Sequence, residues 1–105
     1  MAEQKSKVPA YLEDTYNMLK CAYPDGLPES DYIPLLAILH EIMSFRNIPD
    51  VLAVLAGKDR WLVFNDAMGF SIDDPDYHFT QDDIDRVKAR LLPCGFEQWV
   101  RSNSL

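Results

Sequence analysis

The chain has 105 residues, of which 48% are hydrophobic and 26% are charged. These values are typical of globular proteins, so they argue against a disordered or fibrous chain and fit one domain with one core. The formal net charge of −7 disfavours any binding that depends on neutralising phosphates. We therefore expect neither a nucleic-acid partner nor a membrane partner.

No stretch of the sequence predicts export or membrane insertion. The longest strongly apolar run, Ile33 to Leu39, is much shorter than the roughly 20 residues that cross a bilayer. The start, Met1 to Lys7, is polar and lacks the apolar centre of a secretory signal. We expect a cytoplasmic protein with a flexible tail at residues 1–8, one helical domain at residues 9–100 and a second tail at residues 101–105.

Two helices are predicted in the first part of the chain. The first begins near Pro9 and ends at the turn from Tyr23 to Gly26, because proline and glycine interrupt helices. The second begins with Ser30 or Asp31 as its cap, which places Pro34 in the first turn. Apolar residues cover nearly every side of this second helix, and that pattern predicts a buried, central element.

The middle of the chain predicts two shorter helices. One runs from its cap Asn47 to Gly57, and the next begins at its cap Asp59. The residues expected to point toward the core from this fourth helix are Trp61, Phe64, Ala67 and Met68. A short buried strand over Trp61 to Phe64 is the alternative, since large apolar and β-branched residues also suit a strand.

The last third of the chain predicts a loop and a fifth helix. The segment from Gly69 to Phe79 is acidic and contains a proline, so we expect no regular structure there. Thr80 followed by Asp83 resembles a capping box at the start of helix 5. Phe96 to Val100 is expected to fold back on the bundle. The sequence therefore predicts an all-α, compact single-domain bundle of about five short helices around a buried second helix.

The two cysteines, Cys21 and Cys94, stand near opposite ends of the chain and form no Cys-x-x-Cys motif. In a cytoplasmic protein such residues are ordinarily free thiols in the core. We expect this state, with a disulfide as the alternative if the first and last helices touch.

Known catalytic and ligand-binding motifs each fail at a definite position. His40-Glu41 begins like a zinc-protease helix, but Ser44 stands where the second histidine is required. There is no Gly-x-Ser-x-Gly nucleophile turn and no glycine-rich nucleotide loop. The acidic segment from Asp73 to His78 is rich in oxygen ligands but lacks the spacing and the final glutamate of a calcium loop. The sequence predicts no catalytic residue, no metal site and no cofactor.

Three segments of the sequence resemble a known protein family. They are Ala22 to Leu39, with its distinctive Tyr-Pro-Asp-Gly and Asp-Tyr-Ile-Pro-Leu-Leu motifs, Ile48 to Leu55, and Asp82 to Leu91 followed by Gly95-Phe96. The family is the actinobacterial domain of unknown function 3349 (DUF3349). The resemblance implies a small, all-helical, cytosolic protein and transfers no activity, cofactor or catalytic residue. The segment from Trp61 to Phe79 departs from the family pattern, since it is longer and more acidic.

Three functions remain open, and the leading one is a non-enzymatic protein-interaction module. Its partner is another protein, and the chain itself is a monomer or weak homodimer. Aromatic side chains and a charged rim are common at such interfaces. The predicted partner surface consists of Asp73, Asp74, Asp76, His78, Asp82, Asp83, Phe96 and Trp99.

The first alternative is a helix-turn-helix-like DNA-binding regulator that uses helices 2 and 3. It lacks the expected donors, because Val51 to Ala56 contains no Arg, Lys, Asn or Gln to contact base edges. The second alternative is a metal-binding protein or enzyme that uses the acidic loop at Asp73, Asp74, Asp76 and His78.

Overall fold

The computed structural model describes residues 8–70, 74 and 77–103. Over these residues the chain forms six α-helices and no strand. The helices are α1 Glu13–Ala22, α2 Glu29–Ile42, α3 Ile48–Ala56, α4 Arg60–Gly69, α5 Gln81–Leu91 and α6 Phe96–Asn103. Short 3-10 turns precede α1 and follow α5, at Ala10–Leu12 and Leu92–Cys94. The all-α prediction is confirmed, and the segment expected to fold back is the sixth helix.

Helix α2 lies at the centre of the bundle, as its apolar sequence predicted. It packs against α3 and α5, while α3 also contacts α1 and α4, and α1 contacts α5 and α6. Leu35, Leu36 and Leu39 of α2 are completely buried. Removing one such leucine would cost about 2–5 kcal/mol, because the surrounding side chains collapse only partly into the space left behind.

The start of α2 differs from the prediction. The helix begins at Glu29 after Pro28, and neither Ser30 nor Asp31 caps it. Pro34 therefore lies inside the helix and cannot donate a hydrogen bond to the carbonyl oxygen of Ser30. A long contact from Arg86 Nη2, at 3.4 Å, reaches that oxygen instead. A long-range contact that the local sequence does not reveal thus helps to accommodate the proline.

Most of the other predicted helix ends are confirmed. Asp59 caps α4, since its carboxylate accepts a hydrogen bond from the backbone N–H of Trp61 at 2.8 Å. Thr80 and Asp83 form both bonds of the capping box of α5. Asn47 does not cap α3 with its side chain, because its amide oxygen accepts the hydroxyl hydrogen of Tyr11.

The prediction of two free, buried thiols is wrong. Cys21 of α1 and Cys94 of the turn after α5 form a disulfide with a Cα–Cα distance of 5.9 Å. Cys21 is exposed and Cys94 is half-buried. The contacts between α1 and the turn Leu92–Cys94 bring the two cysteines together. A contact between the two ends of the chain was the condition stated above for a disulfide.

The prediction that Trp61 to Phe64 forms a helix is confirmed, and Ala67 is buried as expected, but Trp61 and Met68 do not face the core. Val63 and Ala67 are the buried residues of α4, and they lie one turn apart on the side that faces the bundle. Trp61 and Met68 point outward and are 67% and 57% exposed. Apolar residues surround this helix almost completely, so their spacing did not define one inward stripe.

The predicted tails lie largely outside the described residues. Val8 is buried against the core, and α6 continues to Asn103, three residues beyond the predicted end of the domain.

Candidate functional site

The predicted acidic surface is only partly described. Asp73 and Asp76 lie outside the described residues. Asp74 is half-buried, whereas His78 and Asp82 are exposed. These positions remain a prediction, because the described residues do not show them converging on one site.

Asp83, from the same predicted surface, is engaged in the structure of α5. Its carboxylate accepts hydrogen bonds from the backbone N–H of Thr80 and from the side chain of Arg86, both at 2.9 Å. The bond from Thr80, followed by the bond from Arg86, holds the pKa of this carboxyl below its usual value. Asp83 therefore stays charged and stabilises the start of the helix.

Phe96 and Trp99, the aromatic part of the predicted surface, belong to the core. They are 8% and 6% exposed, and the indole N–H of Trp99 donates a hydrogen bond to the buried hydroxyl of Thr15 at 2.8 Å. Helix α6 is amphipathic and lays this face against α1. These two side chains are therefore not available to a partner in the folded protein.

An apolar surface is exposed on α4, with Phe45 beside it. Trp61, Leu62 and Met68 are three of the five large hydrophobic residues that are mainly exposed in the described part of the chain. Phe64 and Phe45 lie half-buried beside them. We call these five residues the α4 face. Large apolar side chains concentrated on one exposed helix are typical of a binding surface.

The aromatic rings of the α4 face contact one another. The ring of Trp61 meets the edge of Phe64 with centroids 5.8 Å apart, and Phe64 meets Phe45 at 6.3 Å. The guanidinium of Arg46 lies 5.9 Å from the Phe45 ring and forms no ion pair with any described residue. Arg60 stands next to Trp61 but is paired with Asp50 at 2.9 Å. Among the described residues, the surface is thus an aromatic strip with the unpaired Arg46 at its edge.

A charged network around the buried Asp31 joins three helices on another side of the molecule. Asp31 is 4% exposed, accepts the hydroxyl hydrogen of Tyr23 at 2.8 Å and pairs with Arg86 at 2.6 Å. Burial, followed by the hydrogen bond to Asp31, raises the pKa of the Tyr23 hydroxyl. Arg90 donates two hydrogen bonds to the last carbonyl of α1, that of Ala22. Every described polar group in this network has a partner, so its arrangement indicates a structural role.

A cleft of about 450 Å³ opens between α2 and α5. It is lined by Ala37, Ile38, His40, Glu41, Phe70, Phe79, Gln81, Ile84 and Lys88. His40 is half-buried, and its Nε2–H donates a hydrogen bond to the carbonyl oxygen of Ala67 at 3.1 Å. The volume lies within the range of small-molecule sites.

Within residues 8–70, 74 and 77–103, no three His, Cys, Asp or Glu side chains form a group that could hold a metal ion. No helix in the same ranges has the length and apolar character needed to cross a membrane.

The family model for DUF3349, described as a protein of unknown function, matches residues 10–99. The chain belongs to the DUF3349 family. The match contains the α4 face and the cleft, together with both cysteines of the disulfide. Comparisons with curated proteins and with solved structures gave no significant match. Membership in DUF3349 therefore supports no activity for this chain, and its function has to be argued from its surface.

The sequence prediction missed both the α4 face and the cleft, for different reasons. The α4 face had a partial signal, since Val63 and Ala67 are spaced by four residues and fit a buried stripe. Choosing that stripe would have placed Trp61 outside. The cleft had no local signal, because Ala37 and Ile84 come from helices that are distant in sequence.

Proposed function

We propose that this DUF3349 chain is a small, non-enzymatic protein-interaction module that binds its partner through the α4 face. The observation that carries the proposal is the exposure of Trp61, at 67%. An exposed tryptophan in contact with a second aromatic ring is the kind of anchor that dominates binding energy at protein interfaces. The α4 face therefore replaces the acidic residues, Phe96 and Trp99 as the proposed partner surface.

The chemistry of the face indicates the chemistry of the partner. The apolar strip calls for an apolar surface, such as one side of an amphipathic helix. Arg46, which forms no ion pair with any described residue, favours a carboxylate at the edge of that surface. An acidic amphipathic segment of another protein meets both requirements.

A second copy of this chain suits the face less well. Helix α4 has ten residues, so it is about 15 Å long and, with side chains, about 10 Å wide. Two such faces in contact would cover much less than the roughly 800 Å² per partner of a stable interface. We therefore propose a monomer whose partner contributes a larger surface.

Two leucine variants provide a matched test. Leu62 on α4 and Leu92 in the turn after α5 are both 49% exposed. Leu62→Ser and Trp61→Ser proteins are used as baits in extract of the source cells, and Leu92→Ser serves as the control. We expect at least one protein to be retained by the wild type and by Leu92→Ser and lost from both α4 variants.

The captured protein is then purified and titrated calorimetrically against the same four proteins. Loss of Trp61 should weaken binding by at least tenfold, the scale of an interface hot spot. If no captured protein depends on Trp61 and Leu62, or if Leu92→Ser weakens binding equally, the α4 face is not the binding surface.

The alternatives gain no comparable support. The DNA-binding alternative uses α2 and α3, and Val51 to Ala56 of α3 contains no Arg, Lys, Asn or Gln to contact base edges. The metal hypothesis depends on Asp73 and Asp76, which lie outside the described residues. The actinobacterial origin and the cytoplasmic location also remain predictions. Because disulfides persist mainly in oxidising compartments, the redox state of Cys21 and Cys94 in cells tests the predicted location.

A further inference from the structure

The cleft between α2 and α5 has one aromatic end. The rings of Phe70 and Phe79 are stacked with centroids 6.2 Å apart and an interplanar angle of 25°. The His40 ring tilts against Phe70 at 5.2 Å and is held from its other side by the Ala67 carbonyl. These contacts give this end of the cleft an aromatic, apolar wall.

The other end of the cleft carries a positive charge. Gln81, Ile84 and Lys88 are spaced by three and four residues, so they occupy one side of α5. Lys88 lies about 10 Å along the helix axis from Gln81, which follows Phe79 closely. The cleft thus passes from stacked phenyl rings, past the side chain of Ile84, to an ammonium group.

The ion pairs of the described residues leave the charge of Lys88 unpaired. Among described residues neither Lys88 nor Glu41, the other charged group of the cleft, takes part in an ion pair. Glu41 also lines the cleft, one residue after His40. Its carboxylate disfavours an anionic group beside it and leaves Lys88 as the group of the cleft that an anionic part of a ligand contacts.

The geometry points to a binding site for a small molecule that has an aromatic body and one carboxylate. The body lies between the Phe70 and Phe79 rings and the Ile84 side chain, and the carboxylate accepts hydrogen bonds from the Lys88 ammonium. The α4 face takes no part in this site. Loss of one binding activity therefore does not imply loss of the other.

Three probes with the same naphthylmethyl body but different charge test this site on the full, oxidised chain. They are 2-naphthylacetate, its neutral amide, and the cation 2-naphthylmethylamine. Binding is followed by two-dimensional ¹⁵N–¹H NMR. We expect the carboxylate to shift the backbone amides of Phe79, Ile84 and Lys88 in a saturable way. We also expect it to bind about tenfold more tightly than the amide, because its hydrogen bond to Lys88 is charge-assisted.

Two lysine variants separate this effect from general electrostatics. Lys88 and Lys20 are both exposed, so replacing either one should leave the fold intact, and the spectra of the free variants verify this. Lys88→Gln should reduce the preference for carboxylate over amide to about one. Lys20→Gln, which removes the same charge from α1, should preserve the preference.

Several results would overturn the inference. They are the absence of a saturable shift with all three probes, equal binding of carboxylate and amide by the wild type, and tightest binding of the amine. An unchanged carboxylate preference in Lys88→Gln would contradict it as well.

Discussion

Reduction of the Cys21–Cys94 disulfide should destabilise the chain by several kcal/mol. The two cysteines are separated by 73 residues. Closing a loop of this length restricts the unfolded chain, and the chain-entropy relation gives about 4 kcal/mol at 25 °C. A domain of this size is commonly stable by about 5–15 kcal/mol. The bond therefore accounts for a large part of the expected stability, although it lies at the surface.

Urea unfolding followed by far-UV circular dichroism measures this contribution. The wild type is unfolded with and without a dithiol reductant, and Cys21→Ser/Cys94→Ser is treated identically. Because Cys21 is exposed, the reductant reaches the bond in the native protein. We expect the reduced wild type and the double variant to unfold at the same lower urea concentration, with the variant insensitive to reductant. Equal midpoints for oxidised and reduced wild type would refute the reasoning.

Three further changes test the packing of the helices. Asp31→Ala should lower the free energy of unfolding in urea by about 3 kcal/mol, near the lower limit for a broken buried pair, because half-exposed Arg86 is rehydrated. The control Asp85→Ala, at an exposed position, should change it by no more than about 0.5 kcal/mol. Burial, then the hydrogen bond to Asp66, raises the pKa of Tyr32 above its unfolded value. Its contribution is complete below about pH 10 and is lost as pH rises through the folded pKa, so alkaline titration should destabilise Tyr32→Phe less steeply than the wild type; parallel curves would contradict this. Trp99→Phe leaves the Thr15 hydroxyl without its donor, so it should destabilise the fold by about 2 kcal/mol and lower the thermal midpoint. An unchanged midpoint would mean that the hydrogen bond contributes nothing.

Helix ends were predictable where the determining groups are close in sequence. The capping box of Thr80 and Asp83 spans three residues, and Gly57 ends α3 with a φ of 67° that suits glycine. The start of α2 was not predictable in the same way. Arg86 contacts the Ser30 carbonyl beside Pro34 from 56 residues away, and no local rule identifies such a contact.

The outward face of α4 marks the limit of periodicity arguments. Its apolar residues occur on nearly all sides, so the sequence allowed more than one inward stripe. Packing on α3 selected Val63 and Ala67 and left Trp61 in solvent. The opposite error was made for Trp99, which was predicted to be exposed but is buried. It lies on the apolar side of an amphipathic helix, and its hydrogen-bond partner is 84 residues away in the chain.

The sequence by itself determined the all-helical class, the central place of α2 and most helix boundaries, because these follow from local hydrogen bonding and from the pattern of apolar residues. It also carried the motifs that resemble DUF3349. Only the tertiary structure decided the pairing of Cys21 with Cys94, the exposed face of α4 and the cleft at Lys88. Each of these depends on how separate helices meet, and that meeting is set by packing over the whole core.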